Sequence, residues 1–167
     1  MNKHHQVFFW PVRVYFQDTD AGGVVYHASY VNFMERARTE WLRTFGYSNA
    51  GLMKQLGVVF VVRSMKLDYL KPALLDDMLT VTAQVKEIGR SRITLDQKVL
   101  RRHGVAEQSG REPSLSHDKQ SGGFSTKGAE GLRDDELLTE GEVHLVCVNV
   151  ETFKPVSVPD VLRKQWD

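Results

Sequence analysis

The sequence predicts an α+β fold in which one long helix lies against a single antiparallel sheet. Only residues 28–45 combine helical periodicity with the length of a long helix. Strand-like alternation of apolar residues occurs once before this stretch and several times after it. No strand–helix–strand rhythm repeats along the chain, so a parallel sheet is not expected.

The helix is predicted from a stripe of apolar residues at steps of three and four. Its members are Tyr30, Met34, Ala37, Trp41 and Phe45. Charged residues fill the other positions at spacings that suit helical ion pairs. Gly46 follows at the position where a glycine commonly ends a helix. We therefore expect the stripe to be the face that packs on the sheet.

Five strands are predicted from alternating apolar residues separated by turn-forming residues. They cover residues 12–16, 58–70, 79–85, 93–99 and 142–150, with a hairpin turn at residues 89–91. Residues 103–139 interrupt this pattern because they are rich in Gly, Ser and charge and poor in large apolar side chains. We expect a long mobile insertion there that carries no chemistry, within a single domain, 1–167.

Composition excludes several classes of function. Lys and Arg number 22 against 21 Asp and Glu, so general nucleic-acid binding is not expected. No stretch reaches the roughly 18 apolar residues of a transmembrane segment. Cys147 is the only cysteine, so no intrachain disulfide can form and a cytoplasmic location is expected. It alternates with Val143 and Leu145 as a buried thiol would, with His144 on the opposite strand face.

The stretch with the clearest chemical potential is DTDAGGVVYHAS, residues 18–29, which leads into the helix. The first amides of a helix lack intrahelical partners and lie at the positive end of its dipole, so they can hold a developing oxyanion. Gly22 and Gly23 allow a tight turn and a close approach of the backbone to a ligand. Asp18 and Asp20 point to opposite sides if the loop is extended, so only one of them is expected to face a substrate.

The residues of this stretch leave other interpretations open. Aspartates before a helix are often caps, and paired glycines are often only turn residues. His27 alone is more often a surface or capping residue than a catalyst. Asp18, Asp20 and His27 could also be imagined as metal ligands, but no HxxxH or CxxC spacing supports this, so neither a metal nor a cofactor is expected.

Residues 11–42, PVRVYFQDTDAGGVVYHASYVNFMERARTEWL, resemble the N-terminal signature of the hydroxybenzoyl-CoA thioesterase family of hotdog proteins. Within that family the stretch is most similar to the Tol-Pal system-associated acyl-CoA thioesterases. The resemblance continues through VVFVVRSMKLDYLKPALLDDMLTV and EVHLVCVNVETFKPVSVP. It implies a hotdog fold, in which a curved antiparallel sheet wraps a long helix. It also implies a homodimer or homotetramer with active sites at the subunit interface.

The resemblance further implies hydrolysis of an acyl-CoA thioester, with a small, medium, aromatic or longer acyl group. Asp20 matches the catalytic carboxylate, as nucleophile or general base, and the backbone amide of His27 would polarise the carbonyl. Asp18 matches a position without a catalytic role, and we interpret it as a loop-holding residue. Substrate contacts are expected from Gly23, Val24, Tyr26, Arg63 and Arg90.

Two alternatives to a thioesterase remain at this point. A hotdog hydratase or dehydratase would use a histidine paired with a carboxylate, for which His27 and Asp20 are available. A non-catalytic scaffold would bind acyl carrier protein, which is also a candidate partner of a thioesterase. A pure binder has no need for a carboxylate aimed at a carbonyl, so the motif favours the enzyme.

Overall fold

The computed structural model describes residues 6–102 and 135–166, and the predicted α+β architecture is present in them. This part of the chain contains five strands and three helices in one unit. They are β1 (Phe8–Arg13), α1 (His27–Arg43), α2 (Asn49–Leu56), β2 (Val58–Tyr69), β3 (Met78–Ile88), β4 (Arg92–Arg101), β5 (Glu136–Asn149) and α3 (Asp160–Trp166). A 3-10 turn, Phe16–Asp18, lies between β1 and α1.

The strands form one antiparallel sheet in the order β1-β3-β4-β5-β2. β1 and β2 are therefore the edge strands. Pro11 is tolerated in β1 because an edge strand has backbone positions that need no partner. α1 packs across β1, β3 and β4, with Tyr30, Met34, Ala37 and Trp41 of the predicted stripe buried beneath it.

The core has two parts, one under each half of α1. Under the first half, Phe33 and Met34 are fully buried with Leu79 and Val81 of β3. Under the second half, Trp41 meets Trp166 of α3 with their ring centroids 5.0 Å apart. Because the first half of α1 is packed this tightly, the start of the helix has a fixed position relative to the sheet.

Two predicted strand boundaries are wrong. The first strand ends at Arg13 instead of residue 16, because the chain turns there and the Asp18 amide donates to the Tyr15 carbonyl at 3.0 Å. The last strand begins at Glu136 instead of Glu142, because its first residues pair with the end of β4. Residues 136–139 therefore belong to the sheet, and residues 103–134 of the predicted insertion lie outside the described residues.

Two short helices are missing from the sequence-based prediction. α2 carries signals that could have revealed it: the Ser48 hydroxyl caps its start by accepting from the Gly51 amide at 2.9 Å, and Gly57 ends it with φ +64°. α3 has only Leu162 and Trp166, four residues apart, as its apolar signal. So short a pattern does not distinguish a helix from a loop, and packing against Trp41 decides it.

Candidate active site

Asp18 holds the loop between β1 and α1 in place. Its side chain is buried and one carboxylate oxygen accepts from the Tyr15 amide at 2.9 Å. Its backbone carbonyl accepts from the Tyr26 amide at 2.8 Å and from the Ser29 hydroxyl at 3.2 Å. Asp18 thus joins the beginning of the loop to the start of α1. This geometry agrees with its interpretation as a loop-holding residue.

Asp20 is exposed at the tip of the same loop. Its amide donates to the Val24 carbonyl at 2.9 Å, and its carbonyl accepts from the Gly23 amide at 3.0 Å, which closes a tight turn. Gly23 has φ +78°, a conformation that favours glycine. One oxygen of the Asp20 carboxylate accepts from the Gly22 amide at 2.7 Å. The turn therefore fixes the direction of the carboxylate, and its second oxygen accepts no hydrogen bond from the described residues.

The geometry around Gly22 shows how closely the turn fits this carboxylate. A Cβ atom at Gly22 would lie 3.0 Å from the Oδ1 atom of Asp20, so the carboxylate would have to move by a few tenths of an ångström to admit it. Glycine lets the carboxylate keep its present position, and it is not required here by a positive φ. The Gly22–Gly23 pair therefore serves both the turn and the orientation of Asp20.

The start of α1 lies next to this turn. Tyr26 is the N-cap residue, and its side chain makes no capping hydrogen bond. Within residues 6–102 and 135–166, no group accepts a hydrogen bond from the backbone amide of His27, the first residue of the helix. An amide in this position, at the positive end of the helix dipole, can receive an oxyanion.

The segment between β2 and β3 fixes the other side of the loop. The Val25 amide donates to the Ala73 carbonyl at 2.9 Å, and Val24 forms an isolated bridge with Leu74. The Ala73 amide in turn donates to the Tyr30 hydroxyl at 2.9 Å. Burial raises the pKa of Tyr30, so this hydroxyl stays neutral. The loop at residues 18–26, the candidate catalytic loop, is thereby held between α1 and this segment.

Tyr69 is a residue of this region that the sequence-based prediction missed. Its hydroxyl donates to the His27 carbonyl at 3.0 Å, and its ring meets Tyr30 edge-on at 5.5 Å. Tyr69 and Tyr26 are about half exposed, with relative exposures of 48% and 46%. Together with His27, whose ring lies 4.4 Å from that of Tyr26, they give the region beside Asp20 an aromatic wall. The position of Tyr69 at the end of a predicted strand was the only sequence signal for it.

Arg63 and Arg90 do not join this group within one chain. Arg63 lies at an irregularity of β2 between Val62 and Ser64, in the middle of the strand. Arg90 lies in the β3–β4 hairpin, at the opposite end of β3 from the candidate catalytic loop. The eleven residues of β3 separate Arg90 from that loop by roughly 30 Å. Its guanidinium donates to the Ser157 hydroxyl at 3.1 Å and is otherwise exposed.

Cys147 is a buried thiol, as predicted. Burial raises its pKa to about 11, so the reactive thiolate is scarce at neutral pH. His144 faces the other side of the sheet, where it lies 3.2 Å from the Thr94 hydroxyl and 2.9 Å from a carboxylate oxygen of Glu142. Cys147 and His144 therefore lack the geometry of a nucleophile and its base.

The described residues contain neither a metal-binding cluster nor a membrane-spanning helix. Among residues 6–102 and 135–166, no three His, Cys, Asp or Glu side chains come together in a metal-binding cluster. No helix in the same residues is long and apolar enough to cross a membrane.

The fold and the loop together define a hotdog protein with a carboxylate at the start of its long helix. Residues 14–166 match the model of the thioesterase-like superfamily, and the chain belongs to this family. It is 48% identical to the acyl-CoA thioesterase YbgC of Haemophilus influenzae over 156 residues, which cover 93% of this chain and 91% of that protein. These matches confirm the family predicted from the sequence motifs.

Solved structures confirm the fold. One described as a probable thioesterase from Bartonella henselae has a TM-score of 0.69 and 29% identity, and covers 92% of this chain and all of that one (100%). A 4-hydroxybenzoyl CoA thioesterase in complex with 4-hydroxybenzoyl CoA has a TM-score of 0.70 and covers 94% of this chain and 96% of that one; at 18% identity it supports the fold alone. The predicted hotdog enzyme of the thioesterase class is thereby confirmed.

Proposed function

We propose that Asp20 and the first amides of α1 carry out the hydrolysis of acyl-CoA thioesters, the activity to which family membership and relatives assign this chain. The observation that carries the proposal is the turn at residues 20–24. It holds one oxygen of the Asp20 carboxylate on the Gly22 amide at 2.7 Å and leaves the other oxygen free to react. The open amide of His27 follows on the same loop.

The reaction needs a group that attacks or activates water and a group that accepts charge. As general base, Asp20 takes a proton from water, and the hydroxide forms a bond to the thioester carbon. As nucleophile, Asp20 forms that bond itself and gives a mixed anhydride, which water then cleaves to the acid. In both routes the carbonyl oxygen becomes an oxyanion, which the His27 amide stabilises, and the C–S bond breaks to release the CoA thiolate.

The substitution Asp20→Asn tests this proposal. Asparagine keeps the size of the side chain and an oxygen that accepts from Gly22, but it neither attacks a carbonyl nor takes a proton. We expect kcat for thiol release to fall by roughly 100-fold or more, since such groups commonly contribute 10²–10⁴. Asp96→Asn is the matched control, because that carboxylate is exposed on the sheet face away from α1. Equal activity of Asp20→Asn and wild type would remove Asp20 from the mechanism.

The preference of the enzyme for particular acyl groups is determined by comparing acyl-CoA substrates. A panel of acyl-CoAs from acetyl to palmitoyl, with benzoyl-CoA added, compares kcat/KM across chain length and aromatic character. The exposed rings of Tyr26 and Tyr69 beside the turn favour substrates with an apolar or aromatic acyl group. A preference for acetyl-CoA would contradict this part of the proposal. Enoyl-CoA hydration, measured in the same series, tests the hydratase alternative.

A second copy of the chain is part of the proposal. β2 is an edge strand of twelve residues, and in the described part of the chain it pairs only with β5. Val62 in its middle is 48% exposed, an apolar side chain that a partner strand would cover. Such an edge is a template for pairing with another copy. Sedimentation is expected to give at least a dimer of 38.0 kDa, twice 19.0 kDa, and an active monomer would contradict it.

The same pairing supports a role for Arg90 in binding CoA phosphates. The N-terminal end of β2 lies at the hairpin end of the sheet, since Val58 pairs with Asn149. Its C-terminal end lies near the catalytic loop, since the Tyr69 hydroxyl donates to the His27 carbonyl. Antiparallel pairing of two β2 strands therefore brings the hairpin end of the second copy alongside the catalytic loop of the first. Arg90 of one copy and Asp20 of the other would then serve one substrate.

Acyl carrier protein as a further partner and a cytoplasmic location complete the proposal. The location is supported by the single, buried, unpaired cysteine, which suits a reducing compartment. Comparing acyl-CoA with the same acyl group on acyl carrier protein tests the partner. A kcat/KM at least as high for the carrier-bound substrate would support it, and no detectable turnover would exclude it. Cell fractionation tests the location. Recovery of the native protein in the cytoplasmic fraction would support the proposal, and recovery in the periplasmic fraction would contradict it.

A further inference from the structure

Arg101, the last residue of β4, connects three parts of the fold with one guanidinium group. Its Nε atom donates to a carboxylate oxygen of Asp77 at 2.9 Å. Its two terminal nitrogens donate to the Glu136 carboxylate and to the backbone carbonyl of Pro72. The side chain is only 22% exposed. The guanidinium group of arginine can donate to three separate acceptors at once, whereas the ammonium group of a lysine could not reach all three from one position.

Two of these acceptors belong to the segment on which the catalytic loop rests. Pro72 precedes Ala73, whose carbonyl accepts from the Val25 amide at 2.9 Å. The Asp77 oxygen that Arg101 contacts also accepts from the Leu74 amide at 2.8 Å, and Leu74 forms the bridge to Val24. The contacts of Arg101 with Asp77 and Pro72 therefore brace residues 72–77. Ala73 and Leu74 of the same segment hold the loop.

The remaining link leads from that loop to the reacting carboxylate. The Val24 carbonyl accepts from the Asp20 amide at 2.9 Å, which closes the turn that aims the Asp20 side chain. A shift of residues 72–77 is thus passed to Asp20 through Val24 and Val25. In the described part of the chain, the only other isolated bridge to either valine is the one between Thr19 and Val25.

The charges around Arg101 favour this brace. Partial burial works against its charged form, but hydrogen bonds from the side chain to Asp77 and Glu136, with the attraction of their charges, raise its pKa overall. The hydrogen bond from Lys71, at 2.6 Å, is the main reason why the pKa of Glu136 lies below its ordinary value, and Arg101 lowers it further. Arg101 and Glu136 are therefore both charged at neutral pH.

We infer that Arg101 is a positioning residue for thioester hydrolysis: it sets the place of Asp20 through residues 72–77, without touching the substrate. This inference rests on the proposed role of Asp20. A carboxylate displaced by a fraction of an ångström still binds near the substrate but meets the carbonyl at a poorer angle. Loss of the brace therefore lowers kcat and leaves KM nearly unchanged.

The substitution Arg101→Lys tests the inference, because lysine keeps the charge and loses the three-way fork. We expect kcat to fall about tenfold with KM within about twofold of wild type. Arg102→Lys is the matched control, because Arg102 is the next residue and is exposed. Its backbone amide donates to the Met78 carbonyl at 3.0 Å, and its side chain makes no hydrogen bond to any other described residue. Asp77→Asn removes the same brace from its other side and should give the same division between kcat and KM.

A purely structural role for Arg101 gives a different result. Both variants would then melt at a lower temperature, yet their kcat per folded active site, measured well below that temperature, would equal the wild-type value. That outcome overturns the inference. If Arg101→Lys fails to fold, Asp77→Asn decides the question by the same criterion.

The variant Asp20→Asn separates this inference from the proposed function. If Asp20→Asn hydrolyses acyl-CoA as fast as wild type, the proposed function itself is wrong. If Asp20→Asn is inactive while Arg101→Lys and Asp77→Asn keep full kcat, the proposed function stands and the positioning role is wrong. Low kcat in all three, with normal kcat in Arg102→Lys, supports both.

Discussion

At one end of the sheet, the loop after β1 exposes the Asp20 carboxylate beside an open helix start. At the other end, the β3–β4 hairpin carries Arg90 and is fastened by α3, whose Arg163 side chain donates to the Gly89 carbonyl at 2.6 Å. One end thus has the groups that we propose to break a thioester bond, and the other has a cation that suits a phosphate. Because about 30 Å of β3 separates them, one chain holds both halves of the proposed CoA-thioester site without joining them.

Both ends are held by backbone hydrogen bonds, and they differ in the side chains that reinforce them. The catalytic loop is held mostly by backbone hydrogen bonds and by the buried Asp18, so its geometry is set at the level of the main chain. The hairpin has backbone hydrogen bonds of its own, from Gly89 to Arg92, from Cys147 to Ser91 and from Val158 to Arg90, each at 2.8 Å. The side chains of Arg163 and Arg90 add contacts to Gly89 and Ser157. Main-chain positioning suits chemistry, which needs atoms fixed to fractions of an ångström, whereas phosphate binding tolerates a flexible cation.

Of three further substitutions that test this comparison, Gly22→Ala in the loop that carries Asp20 is expected to have the largest effect. The new methyl group would lie 3.0 Å from the Oδ1 atom of Asp20 and push the carboxylate from its direction. We expect kcat to fall about tenfold, with KM changed by less than about twofold. Steady-state kinetics measure both, and circular dichroism checks the fold. Unchanged kcat would mean that the direction of this carboxylate is not critical.

A smaller effect, on KM alone, is expected from Arg90→Gln at the hairpin end. Loss of an exposed contact to a phosphate costs about 1 kcal/mol, which corresponds to roughly a fivefold rise in KM. The difference from wild type should shrink at high salt, where such contacts are screened. Lys98→Gln, an exposed cation in the middle of β4, is the control. A lower kcat at unchanged KM would assign Arg90 to the chemistry and break the comparison.

The smallest effect is expected at Cys147, which lies at the hairpin end, where its amide donates to the Ser91 carbonyl at 2.8 Å. With a pKa of about 11, only about one thiol in a thousand is ionised at pH 8, against roughly a quarter for an ordinary cysteine. Ellman's reagent should therefore react slowly with the native protein and fully once it is unfolded. Cys147→Ala should keep kcat. Fast native labelling that abolishes activity would require a different account of this strand.

The sequence was sufficient where local patterns determine structure. The stripe on α1 and the alternation in β2, β3 and β4 predict elements whose bounds differ by only a few residues from those observed. The loop 18–29 was recognised because a carboxylate, two glycines and a helix start are neighbours in the chain. Asp18 could be assigned to holding the loop by the same local reasoning.

Contacts between distant parts of the chain were beyond such reasoning. Tyr69 and His27 are 42 residues apart, and only the packed sheet brings their hydrogen bond about. The links of Arg101 to Asp77 and Glu136 likewise depend on the register of β3, β4 and β5. The start of β5 was missed because its first residues read as part of a polar stretch until β4 is placed beside them.

A purified heterodimer tests most directly whether two chains share one site. One subunit carries Asp20→Asn and the other Arg90→Gln, each with its own affinity tag, and kcat/KM for an acyl-CoA is compared with both homodimers. If Asp20 of one copy works with Arg90 of the other, one of the two sites is intact and the heterodimer has about half of wild-type kcat/KM. If both residues serve a site within one chain, both sites are damaged. The heterodimer then only averages its parents, which would contradict the account.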